Sequence, residues 1–238
     1  MGQPMQIAAL GPCPVRDERD VLAALPLEHA RVLELGCGTA RQTRLLLGTG
    51  KFAAITALEC DPVQHARNLA LGDVAGLTFG QGSAEETGCA TASFDAVFLF
   101  KSLHHVPLAR LDDAFAEMHR VLAPRALVYI SEPVFDGDYN AILALFHDER
   151  LVRQAAFDAT VRAVASGRFA LVSQTFFLAP VRYRDFAAFE RAVIGATHTR
   201  HRLSPAVLAE VRARFVAHMT EHGASFHAPY RVDLLRRR

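Results

Sequence analysis

The segment that most constrains the fold is a short apolar run that leads directly into a glycine-rich turn. Residues 32–39 read Val-Leu-Glu-Leu-Gly-Cys-Gly-Thr, and a helical pattern follows over residues 41–47. Because glycine has no side chain, such a turn lets the backbone approach a ligand closely, and the next helix directs free N–H groups toward it. The segment therefore predicts a strand, loop and helix that bind a nucleotide-type ligand.

The turn lacks the spacing of a dinucleotide-binding loop. That loop has a third glycine five residues after the first, whereas residue 41 is Arg. Glu34 places a carboxylate beside the turn, which favours a ligand with an ammonium group and a sulfonium over a pyrophosphate. The pattern therefore argues against NAD as the ligand.

The composition is that of a globular protein large enough for one elaborated α/β domain. The chain has 238 residues, 51% of them hydrophobic, and a net charge of +1. A charge this low argues against a nucleic-acid-binding protein that depends on a basic surface. No apolar run reaches the length of a membrane span and no secretion signal is recognisable, so we expect a cytoplasmic protein.

Strand-like and helical patterns alternate up to residue 133, which is typical of βαβ units. We predict an α/β fold, with a doubly wound, mostly parallel Rossmann-like sheet, helices on both faces and a helical elaboration after strand five. The predicted strands are residues 31–35, 54–59, 77–80, 94–100 and 126–132. Predicted helices begin after the caps Asp61 and Ser204, and another spans residues 111–122.

The chain changes character after residue 133. Residues 141–165 form a long helical pattern without proline, residues 168–183 an extended one, and the helix after Ser204 is expected to end at Gly223. Residues 230–235 predict a last strand at the sheet edge. We expect a single domain over 1–238, with an N-terminal segment (1–29), a cofactor-binding core (30–133) and an acceptor-side elaboration with the final strands (134–238).

Four motifs in the core follow the predicted strands in a specific order. After the glycine turn come Ala-Leu-Glu-Cys-Asp-Pro (57–62), Gly-Ser-Ala (82–84) and Phe-Lys-Ser-Leu-His-His (100–105). Together they resemble the class I S-adenosylmethionine-dependent methyltransferases, especially the ubiquinone/menaquinone-biosynthesis-like (type 11) family. The resemblance covers about residues 30 to 133.

The resemblance implies S-adenosyl-L-methionine as the cofactor, bound at the carboxyl ends of the parallel strands. Glu59 would accept hydrogen bonds from both ribose hydroxyls, since a carboxylate can accept two such bonds at once. The full set of implied cofactor-binding residues is Glu34, Gly36, Gly38, Thr39, Glu59, Cys60, Ser83, Ala84, Phe100 and Lys101.

Methyl transfer is an in-line displacement in which the protein mainly aligns the acceptor with the methyl group. A base is needed only where the acceptor must lose a proton, and His104 and His105 are the candidates, with capping or packing as the alternative. Candidate acceptor contacts are Tyr139, Tyr183, His198 and His201, with core packing or an exposed loop as the alternative. We expect a small-molecule acceptor, aromatic or anionic, while the oligomeric state stays open, a homodimer included.

Other functions were weighed against this one. His218-Met219-Thr220-Glu221-His222 matches a zinc-peptidase pattern, yet a zinc site needs a third ligand, so we expect no metal. An RNA or protein methyltransferase is the nearest enzymatic alternative, although the Asn/Asp-Pro-Pro-Tyr motif of some such enzymes is absent after strand four. A binding protein for S-adenosylmethionine without transfer activity is the third possibility.

Overall fold

The computed structural model describes residues 4–195 and 203–238, in which an eight-stranded sheet is flanked by helices. The strands are β1 (Arg31–Leu35), β2 (Ala54–Glu59), β3 (Leu77–Gln81), β4 (Phe94–Phe100), β5 (Leu122–Pro133), β6 (Phe169–Tyr183), β7 (Met219–Thr220) and β8 (Gly223–Arg237). The helices are α1 (Glu18–Ala23), α2 (Arg41–Leu47), α3 (Pro62–Leu69), α4 (Leu111–Val121), α5 (Gly137–Leu143), α6 (Arg150–Ala165), α7 (Phe186–Phe189) and α8 (Pro205–Val216).

The strand order of the sheet is β3-β2-β1-β4-β5-β8-β6, and the short β7 pairs with β8. The first five strands pair in parallel, whereas β8 runs antiparallel to both β5 and β6. The chain order reverses between β1 and β4, and ligands of open α/β sheets bind beyond the strand ends at such a reversal. The predicted mostly parallel, Rossmann-like sheet is confirmed.

Apolar cores cover both faces of the sheet because successive residues of a strand point to opposite sides. Val97 of β4 lies in one buried cluster with Phe115 of α4 and Ala156 of α6. The next residue, Phe98, lies in the cluster on the other face, together with Leu22 of α1. Helices therefore flank the sheet on both sides, as the doubly wound pattern predicts.

Two helix starts follow the predicted capping chemistry. The Asp61 side chain accepts a hydrogen bond from the backbone N–H of Val63, and Pro62 is the first helical residue of α3. At α8, the Ser204 hydroxyl accepts from the N–H of Val207. In the described residues, no helix combines the length and the apolar character that a bilayer span requires.

The prediction of one helical pattern over residues 141–165 is wrong in detail, because two helices, α5 and α6, occupy that region. Between them, the Asp148 side chain accepts a hydrogen bond from the backbone N–H of Arg150. Such a local bond competes with the helical ladder and starts a new helix instead. The break places Glu149 at the start of α6, where its side chain faces the site described below.

The final strand is longer than predicted and does not lie at the sheet edge. β8 begins at Gly223 and lies between β5 and β6, with Val232, Leu234 and Leu235 buried. Its first half pairs with β6 and, at its start, with the short β7, because β5 ends opposite Tyr230. β6 and β8 therefore extend together past the carboxyl end of β5 and support a separate apolar cluster formed with α5, α7 and α8.

The helix expected to run to Gly223 ends at Val216 instead. The chain then forms a hairpin in which Met219 and Thr220 pair with Ala224 and Gly223. Residues 218–222 therefore present no helical face for two zinc ligands. The His222 side chain is 88% exposed. The zinc-peptidase pattern requires both histidines on one helix, and residues 218–222 are not helical.

Candidate active site

The turn after β1 is held in left-handed backbone geometry that favours glycine. Gly36 has a φ of 72° and Gly38 a φ of 54°. A Cβ on Gly36 would stand 2.8 Å from the Cβ of Ser102, whose hydroxyl donates to the Leu35 carbonyl at 2.7 Å. Among the residues that the structure describes, no heavy atom lies within 4 Å of a Cβ built on Gly38, so they leave space beside that backbone.

Two further residues of the turn have contrasting environments. Thr39 is exposed, whereas Ala40 is fully buried and also left-handed, with a φ of 54°. Ala40 is the N-cap of α2, and its side chain cannot accept a hydrogen bond. The backbone N–H groups of the first helical turn are therefore not capped by this residue. These groups and the open space at Gly38 fit a ligand bound at the turn.

Glu34 lies beneath the turn with only 2% of its surface exposed. Its Oε2 atom has no hydrogen-bond partner in the described part of the chain. Burial raises the pKa of Glu34 to about 7; the Thr43 hydroxyl opposes this shift, and the negative charge of Glu18 adds a smaller contribution to it. A cationic group of a ligand would supply the missing partner, so this acid fits the ammonium group of S-adenosylmethionine.

Glu59 ends β2 and links two loops. Its Oε2 accepts a hydrogen bond from the N–H of Gly38 at 2.8 Å, and its Oε1 accepts from the N–H of Asp61 at 3.0 Å. The Asn68 side chain fixes the Gly38 carbonyl from the other side at 2.8 Å. Because each carboxylate oxygen has two acceptor positions, Glu59 retains the capacity to bind two ribose hydroxyls.

The loops after β2 and β3 lie side by side. The N–H of Gly82 donates to the Glu59 carbonyl at 3.2 Å, and Ser83 and Glu86 exchange two backbone hydrogen bonds of 3.3 Å in the next turn. Ala84 packs against the core, and the exposed Cys60 follows Glu59. The structure therefore brings these predicted cofactor-binding residues to the same rim of the sheet.

The end of β4 completes this rim. Phe100 is buried, and Lys101 follows with a φ of 56° while its N–H donates to the Ser131 carbonyl at 2.8 Å. Glu18 of α1 also reaches this area: Tyr129 donates its hydroxyl to Glu18 at 3.1 Å, and burial raises the pKa of Glu18 while Lys101 opposes the shift. Glu18 was not predicted as a site residue. The signal that could have located it is Asp17, an acidic N-cap that marks the start of α1 one residue before Glu18.

A cavity of about 290 Å³ opens beside this rim, under the elaboration. Its lining includes Lys101, His104, His105, Tyr139, Leu143 and Phe146. A second cavity, of about 410 Å³, is lined by residues such as Ala30, Asp95 and Arg125 and lies at the opposite ends of the strands. Because ligands of these sheets bind at the carboxyl ends, the smaller cavity is the candidate acceptor site.

His104 occupies a short 3₁₀ turn after β4 and is 4% exposed. Its Nδ1 is hydrogen-bonded to Glu132 Oε2, and its Nε2 lies 3.5 Å from Glu149 Oε1. Burial lowers the pKa of His104, but the carboxylates of Glu132 and Glu149 outweigh burial and raise it to about 9. Both ring nitrogens therefore face carboxylates, which is not the environment of an available general base.

The other predicted residues of this region differ in their placement. His105 is exposed, and the centroid of its ring lies 4.1 Å from the ring centroid of His104. Tyr139 lines the cavity, and its hydroxyl lies 2.7 Å from that of Tyr183, which is not part of the lining. The last two candidates, His198 and His201, lie outside the described residues.

Three residues that the sequence analysis did not assign to the site shape the cavity. Arg153 donates to Glu149 at 2.5 and 3.1 Å and to the Asn140 side chain at 2.8 Å. Although burial acts in the opposite direction, His104 and Arg153 lower the pKa of Glu149. The only sequence signal for this network is the charged Asp-Glu-Arg run (148–150) within a helical pattern.

The comparisons with known proteins agree with this geometry. A family model described as "Methyltransferase domain" matches residues 33–130. A fatty-acid O-methyltransferase of Mycolicibacterium smegmatis is 31% identical over 169 residues, which cover 69% of this chain and 60% of that protein. The chain spans between about half and three-fifths of the length of the curated relatives it matches.

Solved structures share the fold at low sequence identity. The YcgJ protein of Bacillus subtilis superposes with a TM-score of 0.60 at 16% identity, covering 93% of this chain and 97% of that one. The [4+2]-cyclase SpnF also has a TM-score of 0.60, at 18% identity, covering 97% of this chain and 87% of that one. The family match identifies residues 33–130 as a methyltransferase domain, and these solved structures show its fold.

Proposed function

We propose that this chain transfers the methyl group of S-adenosylmethionine to a small organic acid bound in the cavity beneath the elaboration. The observation that carries the proposal is the position of Lys101. It follows β4 at the cofactor rim and also lines the cavity, so a molecule in the cavity lies beside the cofactor loops. The cofactor supplies an activated methyl group, and the chain supplies the alignment of acceptor and methyl.

The lining of the cavity supports an acceptor with a charged end and an apolar body. Lys101 provides a positive charge, while Leu143, Phe146 and Val193 provide apolar surface. The volume of about 290 Å³ lies at the lower end of the range for small-molecule sites. This small volume favours a small molecule over an RNA or a protein as the acceptor.

The environment of His104 supports an acceptor that needs no base. Both of its ring nitrogens face carboxylates, so His104 has no nitrogen available to take a proton from an acceptor. A carboxylic acid is ionised at neutral pH, because its pKa is about 4. Consistent with this choice, the relative from M. smegmatis is named a fatty-acid O-methyltransferase.

The test is a methyl-transfer assay with the purified chain, S-adenosylmethionine and alternative acceptors. Octanoate and benzoate represent acids, octanol represents an acceptor that must lose a proton, and bulk tRNA and a denatured protein represent macromolecules. We expect methyl esters of an acid in the mass spectrum and an equal amount of S-adenosylhomocysteine. Transfer only to octanol, tRNA or protein would contradict the proposal, and so would cofactor binding without transfer to any acceptor.

A matched pair of variants locates the acceptor. Leu143→Gln places a polar group in the cavity lining and should raise the KM for the acid while leaving cofactor affinity unchanged. Leu151→Gln is the control, because Leu151 is 70% exposed and is not part of the lining. Equal KM values for the two variants would place the acceptor elsewhere.

A further inference from the structure

A group of three side chains inside the cavity has the composition of a metal site. His104, His105 and Glu149 each offer one nitrogen or oxygen atom, and these atoms all lie within 4.8 Å of one another. They come from separate elements, since the histidines follow β4 and Glu149 precedes α6. The group lies on the acceptor side and includes none of the residues around the glycine turn.

His104 is oriented in the way that metal-bound histidines usually are. Its Nδ1 is hydrogen-bonded to Glu132, and the other oxygen of that carboxylate accepts from the N–H of Leu103 at 2.9 Å. A histidine that binds a metal through one nitrogen usually has a carboxylate or carbonyl on the other. This arrangement directs Nε2 away from Glu132 and toward Glu149.

Arg153 fixes the carboxylate oxygen of Glu149 that points away from His104. Its Oε2 accepts two hydrogen bonds from Arg153, and Arg153 is fixed in turn by Asn140. Its Oε1 lies 2.7 Å from His147 Nε2 and 3.5 Å from His104 Nε2. Ligand atoms of a tetrahedral zinc site lie about 3.4 Å apart, given bonds of about 2.1 Å, so one edge of such a site is already in place.

We propose that His104, His105 and Glu149 bind one divalent transition-metal ion, such as Zn²⁺, with a remaining coordination position open to the cavity. His105 contributes the third ligand from the same 3₁₀ turn as His104. Two imidazoles and one carboxylate suit zinc and its neighbours rather than Mg²⁺ or Ca²⁺, which prefer oxygen ligands. This proposal replaces the expectation of no metal.

The open position gives the ion a role in the reaction. A carboxylate in the cavity would bind to it and be fixed relative to the cofactor, which is the orienting role of a metal. That role rests on the proposed function, whereas ion binding itself does not.

The experiment uses Co²⁺ as a spectroscopic probe and Zn²⁺ in calorimetry, both added to chelator-treated protein without cofactor or acceptor. We expect one ion of each per chain and visible Co²⁺ absorption bands of a low-coordinate site. His105→Ala removes an exposed ligand with little risk to folding and should weaken binding by at least about tenfold. Glu149→Gln should do the same, and its thermal unfolding is compared with that of the wild type because the change also removes the charge that pairs with Arg153.

His222→Ala is the control for adventitious histidine binding, since His222 is exposed and is not part of the cavity lining. Absence of Co²⁺ bands, or unchanged binding in His105→Ala with loss in His222→Ala, would overturn the site. Transfer to an acid is measured separately, in the metal-free and in the Zn²⁺-loaded protein. A failure of metal binding with intact transfer thus rejects the metal site alone, and metal binding without transfer in either form rejects the proposed function alone.

Discussion

The carboxylate of Glu59 accepts a hydrogen bond from the backbone N–H of Gly38, with 2.8 Å between Oε2 and the nitrogen. The contact joins the end of β2 to the turn after β1, so Glu59 contributes to both the proposed ribose subsite and the proposed methionine subsite. A change at Glu59 should therefore affect cofactor binding through two routes: lost ribose contacts and a released turn.

Glu59→Ala should weaken binding of S-adenosylmethionine by about 1.5–3 kcal/mol, roughly 10- to 100-fold in Kd, the scale for hydrogen bonds to a charged group. Glu59→Gln keeps one acceptor oxygen for Gly38 and should lose less. Glu86→Ala, at a nearby exposed acid, is the control. Calorimetric titration measures all three, and equal affinity of folded Glu59→Ala and wild type would reject the ribose assignment.

The two glycines of the turn should respond differently to substitution by alanine. In both variants, alanine in a left-handed backbone conformation lowers the stability by about 1–2 kcal/mol. Only the new Cβ at Gly36 also collides with Ser102. Urea unfolding should therefore show a greater loss of stability for Gly36→Ala than for Gly38→Ala. Adding Ser102→Gly to Gly36→Ala should restore part of it. Gly38→Ala should instead mainly reduce cofactor affinity, and a reversed order would contradict the described turn.

Cofactor affinity should depend on pH through Glu34. Its pKa is raised to about 7 by burial, so in the free protein the carboxyl gains a proton as the pH falls through 7. The ammonium group of the cofactor favours the ionised form, so protons compete with binding. We expect the Kd to rise by up to about tenfold per unit as the pH is lowered from 7 toward 5.

The same shift affects the stability of the cofactor-free protein. Because the folded pKa of Glu34 lies above its unfolded value of about 4.5, this group destabilises the fold progressively as the pH rises from 4.5 to 7. Glu34→Gln should remove both pH dependences, measured by calorimetry and by urea unfolding. A wild-type Kd that stays constant between pH 8 and 6 would show that Glu34 does not bind the ammonium group.

Gly223 should be essential to the hairpin that leads into β8. It has a φ of 95°, and an added Cβ would collide with the Tyr183 carbonyl. Gly223→Ala should therefore lose about 1–3 kcal/mol more of the free energy of unfolding than Gly167→Ala. Gly167 has a φ of 80°, but no atom of the described residues lies within 4 Å of a Cβ added there. Similar unfolding midpoints for the two variants would contradict this packing.

The sequence was sufficient for the first half of the fold because its signals there are local. Strands β1, β2, β4 and β5 contain apolar runs, and Asp61 with Pro62 marks the start of α3 by capping chemistry alone. The order of motifs then placed Glu34, Glu59 and Ser83 on one rim, since parallel strands bring their carboxyl ends together.

The second half depends on contacts between residues far apart in sequence. The neighbours of β8 follow from its pairing with both β5 and β6, which no local pattern encodes. The break at Asp148 depends on one side-chain hydrogen bond, and it determines where Glu149 lies. His104 could be placed near the cavity from its motif, but not between two carboxylates that come from β5 and the start of α6.

The most direct test of the account is a crystal structure of the chain with S-adenosylhomocysteine bound. We expect the ribose hydroxyls to bind the Glu59 carboxylate and the amino-acid end to lie on the turn formed by Gly36 and Gly38. The acceptor cavity beside Lys101 should open toward the ligand sulfur. A ligand bound at the opposite ends of the strands, or one that makes no contact with Glu59, would contradict the account.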